Sequence, residues 1–131
     1  MKLSFGPSQM VKSTKLTIYI PNKDKYGNLI ETIYHWVNEA QFLFTTLFGG
    51  CTCIHQAKGM WYNETDGIFM DETTAIVTTY VNIEDLQKHL SSIQRFVQNF
   101  LTVANQDAVA IEYDGYMYFV SSMAEVNEAV V

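Results

Sequence analysis

The sequence predicts an α+β domain with a ferredoxin-like β-α-β-β-α-β sandwich: an antiparallel sheet, two helices on one face, and an extra C-terminal hairpin strand. Three observations carry this. A period-2 run at residues 16–20 is followed by helical stripes at residues 29–48 and 86–101, separated by β-rich segments. Asp-Gly pairs at 66–67 and 114–115 sit between strand-like runs, where a hairpin needs positive φ. The 131 residues, 48% hydrophobic and 17% charged, suffice for one core and exclude a disordered chain.

Each element follows in order. Residues 1–14 have no period and read as a flexible N-terminal arm, leaving residues 15–131 as a single α+β domain. Leu16, Ile18 and Ile20 share one face of a first strand that stops at Pro21-Asn22, so Thr17 and Tyr19 face the other way. After a polar loop, Ile30, Ile33, Tyr34, Val37, Gln41, Phe44 and Phe48 mark a helix over 29–48 that Gly49-Gly50 ends. A second stripe, Trp36, Ala40, Leu43 and Leu47, either covers the flank of the same core or meets a partner subunit.

Cys51 to Gln56 alternates as a strand that continues towards Trp61-Tyr62, and the turn at residues 63–67 returns it as Ile68-Phe69-Met70. The β-branched run from Thr73 to Val81 extends that strand, with a bulge expected near Asp71-Glu72. Asn82 then caps a helix whose stripe is Leu86, Leu90, Ile93, Val97, Phe100 and Leu101. Ala108–Tyr113 and Tyr116–Val120 form a final hairpin, and Ser122 with Glu125 predicts a short helix to Val131.

A formal charge of −6 and a pI near 4.8 disfavour a phosphate backbone as partner, so no nucleic acid is expected. The start of the chain lacks the apolar run of a signal peptide, and no stretch approaches the ~20 residues of a membrane span. A cytoplasmic protein with no membrane partner is therefore expected. Cys51 and Cys53 read as reduced, buried thiols, because alternate residues on a strand lie about 6–7 Å apart, beyond an ordinary disulfide. The sequon Asn63-Glu64-Thr65 reads as chance without a secretory signal.

Cys51-x-Cys53-x-His55 offers zinc-ligand chemistry, yet a regular strand separates its ends by roughly 13 Å. No metal and no cofactor are expected. His35 and His89 lack paired ligand spacing, and the acidic residues Glu64, Asp66, Asp71 and Glu72 lack the alternating oxygen pattern of a calcium loop. Tyr113, Tyr116 and Tyr118 read as strand aromatics in preference to a stacking platform.

Lys58-Gly59-Met60-Trp61, then Gly67, then Glu72-Thr73-Thr74, followed by a strand and a long helix, resembles a bacterial α+β domain family of unknown function. The resemblance spans about residues 48–113. It implies a corner made by Gly59, Trp61, Gly67 and Glu72 that borders a pocket, and it brings no activity with it.

No assembled nucleophile, acid and base can be named. The expectation is therefore a noncatalytic module, a homodimer that binds a small molecule or a protein through the uncovered sheet face or the pocket at its dimer seam, sequestration of a nucleotide-like ligand included. The alternative is a small dimeric α+β enzyme acting on an apolar or aromatic substrate, with His55, Tyr62 or Glu72 handling protons. Candidate ligand-binding residues are Trp61, Tyr62, His55, Glu72 and Tyr19.

Overall fold

The computed structural model describes residues 3–122. The elements run β1 (Thr14–Pro21), α1 (Ile33–Phe48), β2 (Thr52–Asn63), β3 (Ile68–Val81), α2 (Ile83–Val103), β4 (Ala108–Tyr113) and β5 (Tyr116–Ser121). One antiparallel sheet has the order β2-β3-β1-β4-β5, with both helices on one face, so the ferredoxin-like topology holds and the second strand of the last hairpin extends the β4 edge.

Register explains which side chains meet the helices, because residues directly opposite in a ladder share a face. Leu16, Ile18 and Ile20 pair with Thr79, Val77 and Ala75, and all six are buried. Ile18 also pairs with Ile111, which carries the same face onto β4. Against this layer α1 buries Trp36, Val37, Ala40, Phe44 and Phe48, and α2 buries Leu86, Ile93, Val97, Phe100 and Leu101. Phe44 and Phe100 are 2% and 0% exposed at its centre.

The second stripe of α1 belongs to this core. The Trp36 ring stands edge-on to Phe100 and Phe96, with centroids 5.3 and 6.1 Å away, and its indole N–H donates to Thr32 Oγ1. Tyr34, placed on the buried stripe by spacing, is instead 71% exposed. The helix also starts four residues later than expected. Leu29 forms a β-bridge with Lys23, and the Ile30 amide donates to Asn22 O at 2.8 Å, so Ile30 is buried by closure of a loop. A helical spacing arises there without a helix.

The bulge lies on β2, whereas the sequence suggested β3. Ile54 pairs with Ile76 and Ala57 with Thr74, so His55 and Gln56 together oppose Ala75 while β3 runs unbroken for 14 residues. The predicted turns close as expected. Gly67 (φ 67°) donates its amide to Asn63 O, and Asp114 and Gly115 (φ 53° and 80°) make the two-residue β4–β5 loop with positive φ at both centres. Gly49 (φ 94°) ends α1 by donating to Thr45 O, and the Lys12 ammonium donates to Phe48 O, a cation on orphan carbonyls at a helix C-terminus. Asn82 is the N-cap of α2 through its backbone carbonyl, which accepts from Leu86 N at 3.0 Å. Residues 3–13 contain no helix or strand. The short helix predicted up to Val131 lies outside the described residues.

Candidate functional site

The sheet face away from the helices is set by the alternate residues. Thr17 and Tyr19 of β1 share it with Thr78 and Ile76 of β3, with Glu112 and Ala110 of β4, and with Met117 and Phe119 of β5. Its centre is polar and internally bonded. Thr17, only 1% exposed although no helix covers it, shares a 3.0 Å hydroxyl hydrogen bond with Thr78. The Tyr19 hydroxyl donates to Glu112 Oε1 at 3.0 Å, and the Lys15 ammonium lies 3.8 Å from the other carboxylate oxygen. Burial, the bond to Glu112 and the negative charge of that carboxylate all raise the Tyr19 pKa above its usual value. Around this centre Ile54, Tyr80, Met117 and Phe119 are exposed.

Tyr19→Phe is expected to cost about 1 kcal/mol, since Glu112 loses a donor at a partly buried site, with little change in packing. Urea unfolding midpoints of the two proteins measure it. A neutral substitution would show that water or Lys15 satisfies Glu112 equally well.

Beyond the end of β1 the β2–β3 hairpin continues and forms a corner. The Asn22 amide donates to Thr73 O at 2.9 Å while Asn22 Oδ1 accepts from Thr73 N at 3.0 Å, which ties the loop after β1 to β3. The Lys23 ammonium donates to Asp71 O at 2.9 Å. Gly59 pairs with Glu72, and a Cβ at Gly59 would stand 3.2 Å from both Glu72 Cγ and Thr74 Oγ1. The absent side chain is what lets Glu72 lie across the strand. Asn22, Lys23, Asp71, Glu72 and Thr73, with Gln56, Ala57 and Lys58 of β2, line a recess of about 320 Å³. Glu72 is half-buried in it; burial raises its pKa, and the nearby Lys23 charge opposes that shift only in part.

The five candidate residues do not form one cluster. Trp61 pairs with Met70, two residues past the Gly59–Glu72 pair, so its side chain shares the face of Glu72 about 7 Å further along the strand. Tyr19 lies on the same face, opposite Ile76 and nearer the sheet centre. Tyr62 points to the other face, where its ring meets Phe69 at 5.3 Å. His55 is exposed in the bulge. Lys23, Asn22 and Glu112 were not legible as site residues: Asn22–Asn28 reads as a polar loop, and only the ladder brings it beside Thr73. The phrase Pro21-Asn22 at a strand end is the one local signal that the chain turns there.

Both cysteines are free and partly buried against the core, short of the full burial expected. Cys51 Sγ lies 3.7 Å from Gln41 O, and burial together with the Cys51 charge raises the Cys53 pKa, which disfavours a reactive thiolate. Among the described residues no group of three His, Cys, Asp or Glu side chains gathers as a metal site. No helix among them is long and apolar enough to cross a membrane.

No family model matches the chain, and no curated protein matches it. Solved structures do. A phage SAM lyase in complex with S-methyl-5'-thioadenosine aligns at a TM-score of 0.62 and 12% identity, over 91% of this chain and 97% of that one. A phage SAM lyase in its apo state aligns at 0.57 and 13% identity, over 94% and 97%. The divalent ion tolerance protein CutA1 from Ehrlichia chaffeensis aligns at 0.45 and 13% identity, over 93% and 99%. At these identities the likeness is one of fold: a small α+β domain of ferredoxin-like topology.

Proposed function

We propose that this protein is a small self-associating α+β enzyme whose substrate is a nucleoside-bearing amino-acid sulfonium of the S-adenosylmethionine type, held at the hairpin corner. The observation that carries the reading is the recess itself. A desolvated carboxyl, Glu72, lies beside Lys23, with the Trp61 side chain on the same face about 7 Å further along the strand. An amino-acid arm presents one ammonium and one carboxylate, which match Glu72 and Lys23. The flat purine matches the exposed Trp61 face. The fold that two phage SAM lyase structures share with this chain supports the same substrate class.

The absence of an assembled nucleophile and base fits such a substrate. A sulfonium carries its own leaving group and the amino-acid arm its own nucleophile: as the substrate's carboxylate oxygen bonds to the γ-carbon and closes a five-membered lactone, the carbon–sulfur bond breaks, its bonding pair stays on sulfur and a neutral thioether departs. The protein then supplies binding and orientation, which by themselves account for several kcal/mol of barrier in well-aligned reactions. That chemistry favours an enzyme over a purely sequestering module.

Self-association is part of the proposal, as a homodimer. Ile54, Tyr80, Met117 and Phe119 leave apolar side chains exposed on the face away from the helices, where a second copy would cover them.

The test is incubation with S-adenosylmethionine, with release of S-methyl-5'-thioadenosine followed by chromatography, and native mass spectrometry on the same sample. Catalytic release by an oligomer is the expected result. Stoichiometric retention of the ligand without turnover would restore the noncatalytic reading. Neither binding nor turnover, with S-adenosylmethionine or with S-methyl-5'-thioadenosine, would remove the substrate class.

A further inference from the structure

Lys23 reaches the recess from the loop after β1, and a lysine ammonium on its flexible stem is placed only as well as the backbone that carries it. Two anchors hold that backbone. On one side Asn22 is tied to Thr73 of β3. On the other the loop lies against the C-terminal end of α2. There the Lys25 amide donates to Asn105 O at 2.9 Å, and the Gln106 side-chain amide donates to Lys23 O at 3.1 Å.

The helix end makes this second anchor rigid. Ala104 is the C-cap of α2, Asn105 follows at φ 52°, and the Gln106 backbone amide donates to Leu101 O at 3.0 Å, the long bond of a Schellman motif. Asparagine takes the left-handed conformation that glycine usually supplies there. Gln106 is thus fixed at its backbone and, at 5% exposure, enclosed. Its side-chain nitrogen has two hydrogens to donate, and two carbonyls accept from it: Lys23 O, and Ala104 O at 3.2 Å. An apolar side chain would fill the same space, but only a donor can hold the Lys23 carbonyl.

We propose that Gln106 is a positioning residue of the recess, holding Lys23 so that its ammonium stays on Asp71 O and beside Glu72. The role rests on the reading of the recess as the substrate site. The charged side chains of the recess are Lys23 from the loop, Lys58 from β2, and Asp71 and Glu72 from β3. Of the two lysines, Lys23 is the one whose charge opposes the effect of burial on Glu72. With the Lys23 carbonyl released, the ammonium regains its conformational freedom and spends less time near that carboxyl. Glu72 then titrates higher, and the carboxylate of an amino-acid arm loses a fixed partner.

The experiment follows the Glu72 carboxyl carbon shift against pH in the full chain, through a double-mutant cycle of Gln106→Met and Lys23→Met. Methionine keeps the approximate length of each side chain and removes its donors. Gln106→Met is expected to raise the Glu72 midpoint, Lys23→Met to raise it further, and the two together to match Lys23→Met alone. With S-adenosylmethionine, Gln106→Met is expected to raise KM about tenfold and to leave kcat within about twofold. An unmoved Glu72 midpoint in a folded Gln106→Met protein would overturn the role. So would an equal shift with and without Lys23, the mark of a general loosening of the loop. The wild type decides the matter even where the variant does not fold: the Gln106 side-chain amide protons should exchange with solvent about 100-fold more slowly than those of an exposed glutamine, and exchange at the exposed rate would overturn the role. Failure of the substrate reading looks different. A raised Glu72 midpoint with no turnover, or with unchanged KM, would take the substrate from the recess and leave Gln106 as the residue that places Lys23.

Discussion

Glu72→Gln is expected to lower kcat/KM for S-adenosylmethionine about 10- to 100-fold, the loss of one charge-assisted contact to a desolvated carboxylate, while making the protein more resistant to heat at neutral pH. The two effects have one origin. Burial raises the Glu72 pKa, so the folded protein holds that proton more tightly than the unfolded chain does. Above the raised pKa the carboxylate is ionised in both states, and the cost of its burial is fully present. As pH falls through the raised value the folded state takes up its proton first and the cost fades. It is gone below the unfolded value of about 4.3.

The neutral amide of the Glu72→Gln protein carries no such cost at any pH. Melting temperatures of the two proteins should therefore differ most at neutral and alkaline pH and converge near pH 4. Substrate binding should show the reverse dependence and weaken in the wild type as pH falls through the same range. A Glu72→Gln protein with unchanged kcat/KM would remove Glu72 from the site. One with no gain in melting temperature at neutral pH would mean that Lys23 compensates the buried charge fully.

Phe100→Ala is expected to cost about 3–5 kcal/mol and to lower the melting temperature by roughly 10–20 °C. Phe100 has no exposed surface, and its ring touches Trp36 of α1, so truncation opens a cavity where both helices meet the sheet. The control is Phe119→Ala. Phe119 is 74% exposed on the edge strand β5, and its loss should stay within about 0.5 kcal/mol for the isolated chain. Urea denaturation of both variants decides it. Equal small losses would contradict the packing of α1 and α2 over β1 and β3. A large loss at Phe119 in a concentration-dependent transition would instead place that residue in a subunit contact.

The fold was open to reading because its signals are local and agree with one another. The alternation of Leu16, Ile18 and Ile20, the Asp-Gly turns at 66–67 and 114–115, and the α2 stripe from Leu86 to Leu101 each specify an element through nearest-neighbour physics. Where local pattern and tertiary closure compete, the pattern misleads. Ile30 has helical spacing to Ile33 and Tyr34, yet its amide is bonded to Asn22 and its side chain closes a loop. The bulge shows the same limit. Asp71-Glu72 looks like an interruption in a β-branched run, whereas the extra residue resides at His55-Gln56, because only the pairing of two strands defines which one has too many residues.

The sequence by itself determined the hairpin that carries the corner, through its strand-like runs and the Asp66-Gly67 turn. Gly59, Trp61, Gly67 and Glu72 were placed along it by the resemblance, and Gly59 has a steric reason to lack a side chain. What only the tertiary structure decided is which of the others stand with them. A one-residue change of register moves a strand side chain to the opposite face, so Tyr62, adjacent to Trp61, falls on the far side of the sheet while Tyr19, far away in the chain, shares its face. Lys23 and Asn22 join Glu72 for the same reason. Their place beside β3 follows from long-range hydrogen bonds to the β3 backbone that leave no mark in the composition of a polar loop, whereas the strands, helices and turns are written in residues that touch their own neighbours.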